Sequence, residues 1–281
     1  MKFFKIFNLL LPLFLLVSLV SCDKIEPPYM VGGQQDNNGS EEVVRKFLLE
    51  EFTGHRCVNC PQGSQVAKTL KEFYGDRLII VSVHAGFFAN PLGSTFNYDF
   101  RTPEGNEINS HFGVMQNPIG MVNRQEFEGS LLLGPGLWGS AMAIAAETEP
   151  DFSLQLSVSS ASGSGNYLLN AKVEGLNNLE LEHYLVAVVI ENGIIKPQAI
   201  NDPDYPEGYI AEYEHNFVLR KGITSIWGDK LRDGGIEQGE VFERDYTFSM
   251  DAQWVAANSY IVAYVMNQNM EVLQAEQIRV E

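Results

Sequence analysis

The chain has 281 residues and a formal net charge of −17. An acidic surface of this kind argues against nucleic acid as a partner, because the phosphate backbone attracts basic proteins. Solubility explains this negative charge better than a specific cationic ligand does.

The first 21 residues are typical of a bacterial lipoprotein signal. Lys2 and Lys5 precede an apolar run that ends in Leu19-Val-Ser-Cys22. The run is short and is interrupted by Asn8 and Pro12, which disfavours a transmembrane anchor. We therefore predict cleavage before Cys22, lipid attachment to its sulfur, and an exported chain tethered to the cell envelope by its acyl chains. Cleavage removes two lysines and no acids, so the net charge becomes −19.

Residues 22–42 are rich in Pro, Gly, Gln, Asn and Asp. A stretch of this composition cannot bury a core, and we expect a flexible tether. About 240 residues follow, which exceeds an ordinary domain and favours two domains, 43–150 and 151–281.

In residues 43–150, strand patterns alternate with helix patterns. A buried strand is expected over 45–52, a helix over 61–74 and a second buried strand over Leu78–His84. The stretch 86–101 is either a binding loop over the cysteines or a long connection. A helix should then start at Thr102 as N-cap, with Pro103 at its first position. A strand led by Pro118 and a helix over 137–147, with Trp138 and Ile144 on one face, complete the pattern. This order, with a Cys-x-x-Cys between the first strand and helix, resembles a thioredoxin fold.

From Asp151 the pattern changes to short alternating strands separated by turn residues. The seven candidates are 152–159, 167–173, 183–190, 216–220, 241–248, 259–266 and 272–280. Seven strands without a convincing helix predict an all-β sandwich of immunoglobulin or fibronectin type III character.

Cys57-Val-Asn-Cys60 lies where a strand feeds a helix N-terminus. Unpaired backbone N–H groups and the helix dipole stabilise a thiolate there, so Cys57 is the candidate nucleophile and Cys60 its resolving partner.

The same Cys-x-x-Cys spacing also serves zinc binding or a structural disulfide. Haem attachment is excluded because Pro61, and not His, follows Cys60. Zinc would need His84 beside His55 and the two cysteines, with no second Cys pair present, and we predict no metal and no cofactor.

The thioredoxin resemblance implies roles for two further residues. Pro118 would have a cis peptide bond and pack against the cysteines; the alternative is a trans proline in a loop. Glu51 would be a buried proton acceptor behind the cysteines; the alternative is an exposed acid at the edge of the sheet. His55 and Arg56 either lower the pKa of Cys57 or lie in an exposed turn. The acidic loop 201–207 either holds calcium or is solvated.

Three blocks of sequence also resemble the outer-membrane protein 28-related lipoproteins. The blocks are 49–61, Asn117–Arg124 and Glu212–Arg220. The resemblance implies an outer-membrane location and a thioredoxin-like domain followed by a C-terminal β-sandwich. The chain departs from better-understood thioredoxins at His55-Arg56 and at Val58-Asn59, which leaves the redox direction open.

Two functional hypotheses follow. In the first, the protein is an envelope-anchored thiol-disulfide oxidoreductase acting on protein thiols or disulfides. In the second, it is a non-enzymatic lipoprotein that binds an unidentified envelope protein or ligand, and Cys57–Cys60 is a stabilising disulfide.

Overall fold

The computed structural model describes residues 43–161 and 165–280. The predicted signal, the tether and the lipidation site at Cys22 lie outside these residues. No helix in the described ranges is both long enough and apolar enough to cross a membrane.

Three α-helices and thirteen β-strands make up the described part of the chain. The helices are α1 (Cys60–Tyr74), α2 (Pro103–His111) and α3 (Pro135–Ala146). The strands are β1 (Phe47–Thr53), β2 (Leu78–His84), β3 (Ile119–Val122), β4 (Phe152–Ser160), β5 (Asn166–Gly175), β6 (His183–Glu191), β7 (Ile194–Ala199), β8 (Tyr209–His215), β9 (Val218–Gly222), β10 (Asp229–Lys230), β11 (Val241–Ser249), β12 (Ser259–Asn267) and β13 (Val272–Arg279).

The first strands form the part of the fold that carries the cysteines. β1 pairs in parallel with β2, from Phe47 opposite Leu78 to Thr53 opposite His84. β3 pairs antiparallel with the other edge of β1. Every residue of β1 and β2 is buried, because α1 and α3 cover one face of these strands around Trp138. This agrees with the continuous apolar run of β2, which is typical of a strand covered on both faces.

The same sheet continues into the second half of the chain. Its strand order is β13-β12-β6-β9-β2-β1-β3, with β10 attached to β6. The junction lies between β2 and β9, where Ser82 N donates to Phe217 O at 2.7 Å. The sheet is rolled, so that its two ends meet where Val272 N donates to Asn123 O at 2.8 Å. Its inner face is one apolar core, to which Leu48, Val188 and Val262 all contribute.

A second sheet of three strands, in the order β11-β5-β4, packs on the outer face of β6 and β12. The protein is therefore a mostly β fold of mixed sheets with a few helices. Val43–Glu281 forms one compact unit, and the domain boundary predicted at residue 150 falls inside it. Strands from both sides of that boundary share the rolled sheet.

Most predicted elements are confirmed to within a few residues, including the Thr102 cap, whose Oγ1 accepts from Gly105 N at 2.9 Å. One side-chain placement is wrong: Ile144 is 61% exposed, and Met142 faces the core in its place. Three strands were not expected, namely β7, β8 and β10. β7 contains Pro197 and β10 has only two residues, so neither shows the alternation that marks a strand.

Candidate active site around the Cys57–Cys60 disulfide

The two cysteines are joined in a disulfide at the start of α1. Cys57 lies in the turn after β1, where its N–H donates to Gly54 O at 2.9 Å, and Cys60 is the first residue of α1. Pro61 follows at the start of the helix, where a missing N–H costs nothing. The Cα atoms are 5.4 Å apart. Cys57 is 2% exposed and Cys60 1%, so the disulfide is closed off from solvent.

One part of the cover comes from the stretch 86–101. Arg56 N donates to Phe88 O at 3.0 Å, and the Arg56 guanidinium lies 4.9 Å from the centre of the Phe87 ring. Gly54 lies so close to this stretch that a Cβ there would be 2.5 Å from the Phe88 carbonyl carbon. Only glycine allows this approach, so the stretch contacts the turn that carries Cys57.

The other part of the cover is the hairpin of β7 and β8, which forms a two-stranded sheet of its own. Ala199 N donates to His55 O at 2.7 Å. The Gln198 side-chain amide donates to Cys57 O at 2.9 Å and is 3.4 Å from Gly54 O. The hairpin is therefore hydrogen-bonded directly to the turn that precedes the disulfide.

Pro118 lies beside the first turn of α1. The Asn117–Pro118 peptide bond is cis. A Cβ on Gly63, three residues after Cys60, would be 2.7 Å from Pro118 Cβ. Pro118 and the start of α1 are therefore in direct contact.

Glu51 of β1 is buried against the start of α1. Its carboxylate accepts hydrogen bonds from Ser64 Oγ at 2.8 Å and from Ser82 Oγ at 3.1 Å. It is 1% exposed, so the alternative of an exposed edge acid is wrong. Burial raises the pKa of Glu51 to about 7, against the opposing effect of the two serine hydrogen bonds. At neutral pH both the protonated and the ionised form of Glu51 are therefore populated, as a general acid-base group requires.

Glu51 faces a polar cavity of about 230 Å³ beneath the hairpin. The cavity is lined by Ser64 and Ser82 from the Glu51 side and by Gln198, Tyr213 and His215 from the hairpin. Burial, followed by the Glu51 charge, raises the pKa of the Tyr213 hydroxyl. The hairpin therefore reaches both the disulfide and the acid.

Three buried histidines surround Phe100 next to this cavity. The ring centres of His84, His215 and His55 lie 4.5, 4.4 and 5.4 Å from that of Phe100. Burial lowers the pKa of His55 to about 4 and that of His215 to about 3, and it holds the pKa of His84 well below its ordinary value. These side chains are neutral at pH 7. His55 therefore supplies no positive charge to Cys57, and Arg56 is the cation next to it in the sequence.

In residues 43–161 and 165–280, no three His, Cys, Asp or Glu side chains are placed to hold a metal ion. The acidic loop 201–207 is exposed throughout.

The structure brings Cys57, Cys60, Glu51 and Pro118 together around the start of α1. Sequence reasoning missed the polar partners Ser64, Ser82, Gln198 and Tyr213. Ser64 lies four residues after Cys60, on the same face of α1, and this spacing was a usable signal. Gln198 and Tyr213 carry no local signal, because they reach the site only through the fold of the hairpin.

The fold and the site define a mostly β protein of mixed sheets with a buried disulfide at a helix start. The model of the family described as outer membrane protein Omp28 matches residues 105–281, and the chain belongs to this family. The resemblance seen in the sequence and the outer-membrane location are thereby confirmed. The matched region begins after the disulfide, so family membership by itself assigns no role to Cys57 and Cys60.

Solved structures of low identity share the fold. HBP35 of Porphyromonas gingivalis is 18% identical, with a TM-score of 0.63 over 85% of this chain and 77% of that chain. A protein from Agrobacterium tumefaciens is 12% identical, with a TM-score of 0.50 over 85% of this chain and 96% of that chain. The comparison with curated proteins found no match.

Proposed function

We propose that this protein is a thiol-disulfide oxidoreductase of the cell envelope, anchored through lipid on Cys22, with Cys57 and Cys60 as its redox pair. The observation that carries the proposal is Glu51. Its hydrogen-bond partners among the described residues are two serine hydroxyls and no cation. A buried, unpaired carboxylate costs stability, and a purely structural disulfide has no use for one. Perturbed acids of this kind cluster at functional sites.

The proposed reaction is exchange with a protein dithiol or disulfide. A substrate thiolate attacks Cys57 Sγ and breaks the Cys57–Cys60 bond, and the departing Cys60 sulfur takes the proton held by Glu51. The second substrate thiolate then attacks the mixed disulfide and releases Cys57 as a thiolate. Two electrons pass from the substrate to the protein, and the substrate leaves as a disulfide. The reverse sequence reduces a substrate disulfide, with Glu51 accepting the Cys60 proton.

The proposed architecture is thioredoxin-like over 43–150. It is supported by the parallel β1–β2 pair joined through α1, and by Pro118 against the first turn of α1. The sandwich over 151–281 is supported by the three-stranded sheet packed on β6 and β12. The lipid anchor rests on the signal-like sequence before Cys22.

A second candidate function has an observation of its own. Both cysteines are buried, beneath the hairpin and the stretch 86–101. This burial favours a structural disulfide in a non-enzymatic lipoprotein that binds another envelope protein or ligand.

The test is the reduction potential of the full chain carrying Cys22→Ser, together with turnover of a protein disulfide substrate. The redox proposal predicts a potential of about −270 to −120 mV, the range of thioredoxin-like oxidoreductases, and turnover that is lost in Cys57→Ser. A potential below about −300 mV, without turnover, would instead establish the structural disulfide. Ser140→Ala, which changes an exposed side chain of α3, serves as the control.

A further inference from the structure

We propose that the β7–β8 hairpin is a lid over the Cys57–Cys60 disulfide, and that Gln198 is the positioning residue that holds it closed. This inference rests on the proposed function, because a lid has a purpose only if the disulfide reacts with a partner.

The hairpin is placed to control access to the sulfurs. It is hydrogen-bonded to the turn before the disulfide through Ala199 N and the Gln198 amide. A partner thiolate must approach the sulfur in line with the disulfide bond, so a covered sulfur cannot react. Both cysteines are almost completely buried in this closed arrangement.

The hairpin is built to move as a unit. β7 and β8 pair only with each other and are not part of the rolled sheet. The cavity of about 230 Å³ lies between the hairpin and the layer formed by β1, β2 and α1. Protein interiors are normally close-packed, so the packing beneath the hairpin is incomplete at this cavity, while His215 of β8 packs against Phe100 beside it. Its exposed tip, residues 201–208, adds no contact to the core.

The lid also connects the disulfide to the acid. Tyr213 on β8 and Ser64 on α1 line the same cavity as Glu51, and Ser64 donates to the Glu51 carboxylate. Opening the hairpin would let water reach Glu51 at the same moment that it exposes Cys57. Hydration favours the ionised carboxylate, which is the form that accepts a proton from the Cys60 thiol. Access to the Cys57 sulfur and proton transfer to Glu51 would then be switched on together.

The part of the cover formed by the stretch 86–101 is packed differently from the hairpin. Gly54 has no room for a Cβ against the Phe88 backbone, and Arg56 N donates to Phe88 O at 3.0 Å. This side is tightly packed around the turn, so the hairpin is the part that opens.

The experiment measures how fast a small phosphine reduces Cys57–Cys60 in the full chain carrying Cys22→Ser. Gln198→Met keeps the length of the side chain and removes its amide hydrogen bonds, and we expect reduction about tenfold faster, because the bonds to Cys57 and Gly54 are lost. Gln238→Ala, at an exposed glutamine far along the chain, should leave the rate unchanged. Hydrogen exchange of the amides in 194–215 should rise in Gln198→Met while that of β1 and β2 stays constant.

A reduction rate within twofold of the parent in Gln198→Met, with unchanged exchange in the hairpin, would overturn the lid. If the variant unfolds, the parent protein supplies the test: hydrogen exchange that is slower in the hairpin amides than in the β1 amides would also overturn the lid. Failure of the proposed function is a separate result: faster phosphine reduction without turnover of a protein disulfide supports the lid and rejects the enzyme.

Discussion

At the scale of single residues, Glu51 is the side chain on which the chemistry depends. Its carboxyl is buried with two serine donors and a pKa of about 7. Because the folded pKa lies above the ordinary value of 4.5, the folded state keeps a proton that the unfolded chain has lost between these two pH values. This group therefore makes the protein less stable as pH rises from 4.5 to 7, and the penalty is constant above that range.

Glu51→Gln removes this ionisation and keeps the shape of the side chain. We expect the variant to be more stable than the parent by up to about 3 kcal/mol above pH 7, and the difference to vanish at pH 4.5. Denaturant unfolding at pH 4.5, 7 and 8.5 measures it. Glu72→Gln, at an exposed glutamate of α1, should stay within about 0.5 kcal/mol of the parent at each pH. A difference for Glu51→Gln that is independent of pH would contradict the assignment.

At the scale of elements, the start of α1 is fitted closely against Pro118. Gly63→Ala ordinarily gains about 0.5–1 kcal/mol in a helix. Here the new Cβ would be 2.7 Å from Pro118 Cβ, and the rigid ring must shift. We therefore expect a net loss of about 1–3 kcal/mol in the free energy of unfolding.

Gly139→Ala in α3 is the matched control for this prediction. Its Cβ would meet only Leu70 Cδ2, at an ordinary 3.5 Å, so we expect a gain of about 0.5–1 kcal/mol. Thermal or denaturant unfolding of both variants shows whether each substitution raises or lowers the free energy of unfolding. Equal effects at the two glycines would show that Pro118 does not press on α1.

At the scale of the whole molecule, Arg124 links the two ends of the rolled sheet, through a buried ion pair with Glu50 at one end and a hydrogen bond to Tyr264 near the other. Arg124, after β3, donates from Nε and Nη2 to the Glu50 carboxylate of β1, both at 2.7 Å. Its Nη2 also donates to Tyr264 Oη of β12 at 2.9 Å. The Arg124 and Glu50 side chains are 0% and 3% exposed. Water therefore does not solvate these two charges, and each is stabilised by the other.

Arg124→Ala leaves the Glu50 charge buried without its partner, and we expect a loss of about 3–5 kcal/mol in the free energy of unfolding. Arg101→Ala breaks a pair with Asp99 that is open to solvent, and its cost should not exceed about 1 kcal/mol. Urea titration of both variants measures this contrast. Similar small losses at both arginines would mean that Arg124 adds little to the contact between the two ends of the sheet.

The sequence determined the local elements and the position of the cysteines. The apolar run Leu78–His84 and the cap at Thr102 predicted their strand and helix because periodicity and capping act over a few residues. Cys57 and Cys60 were selected from their spacing and their place between a strand and a helix, and Glu51 and Pro118 from the thioredoxin resemblance; the structure brings all four to the start of α1.

Only the tertiary structure decided what surrounds them. The single sheet that crosses residue 150 depends on the contact of Ser82 with Phe217, 135 positions further along the chain. The burial of the disulfide depends on Gln198 and Phe88, and the neutral state of His55 depends on the aromatic side chains that desolvate it. Such pairings between distant residues leave no local pattern, because chain topology and not propensity brings them together.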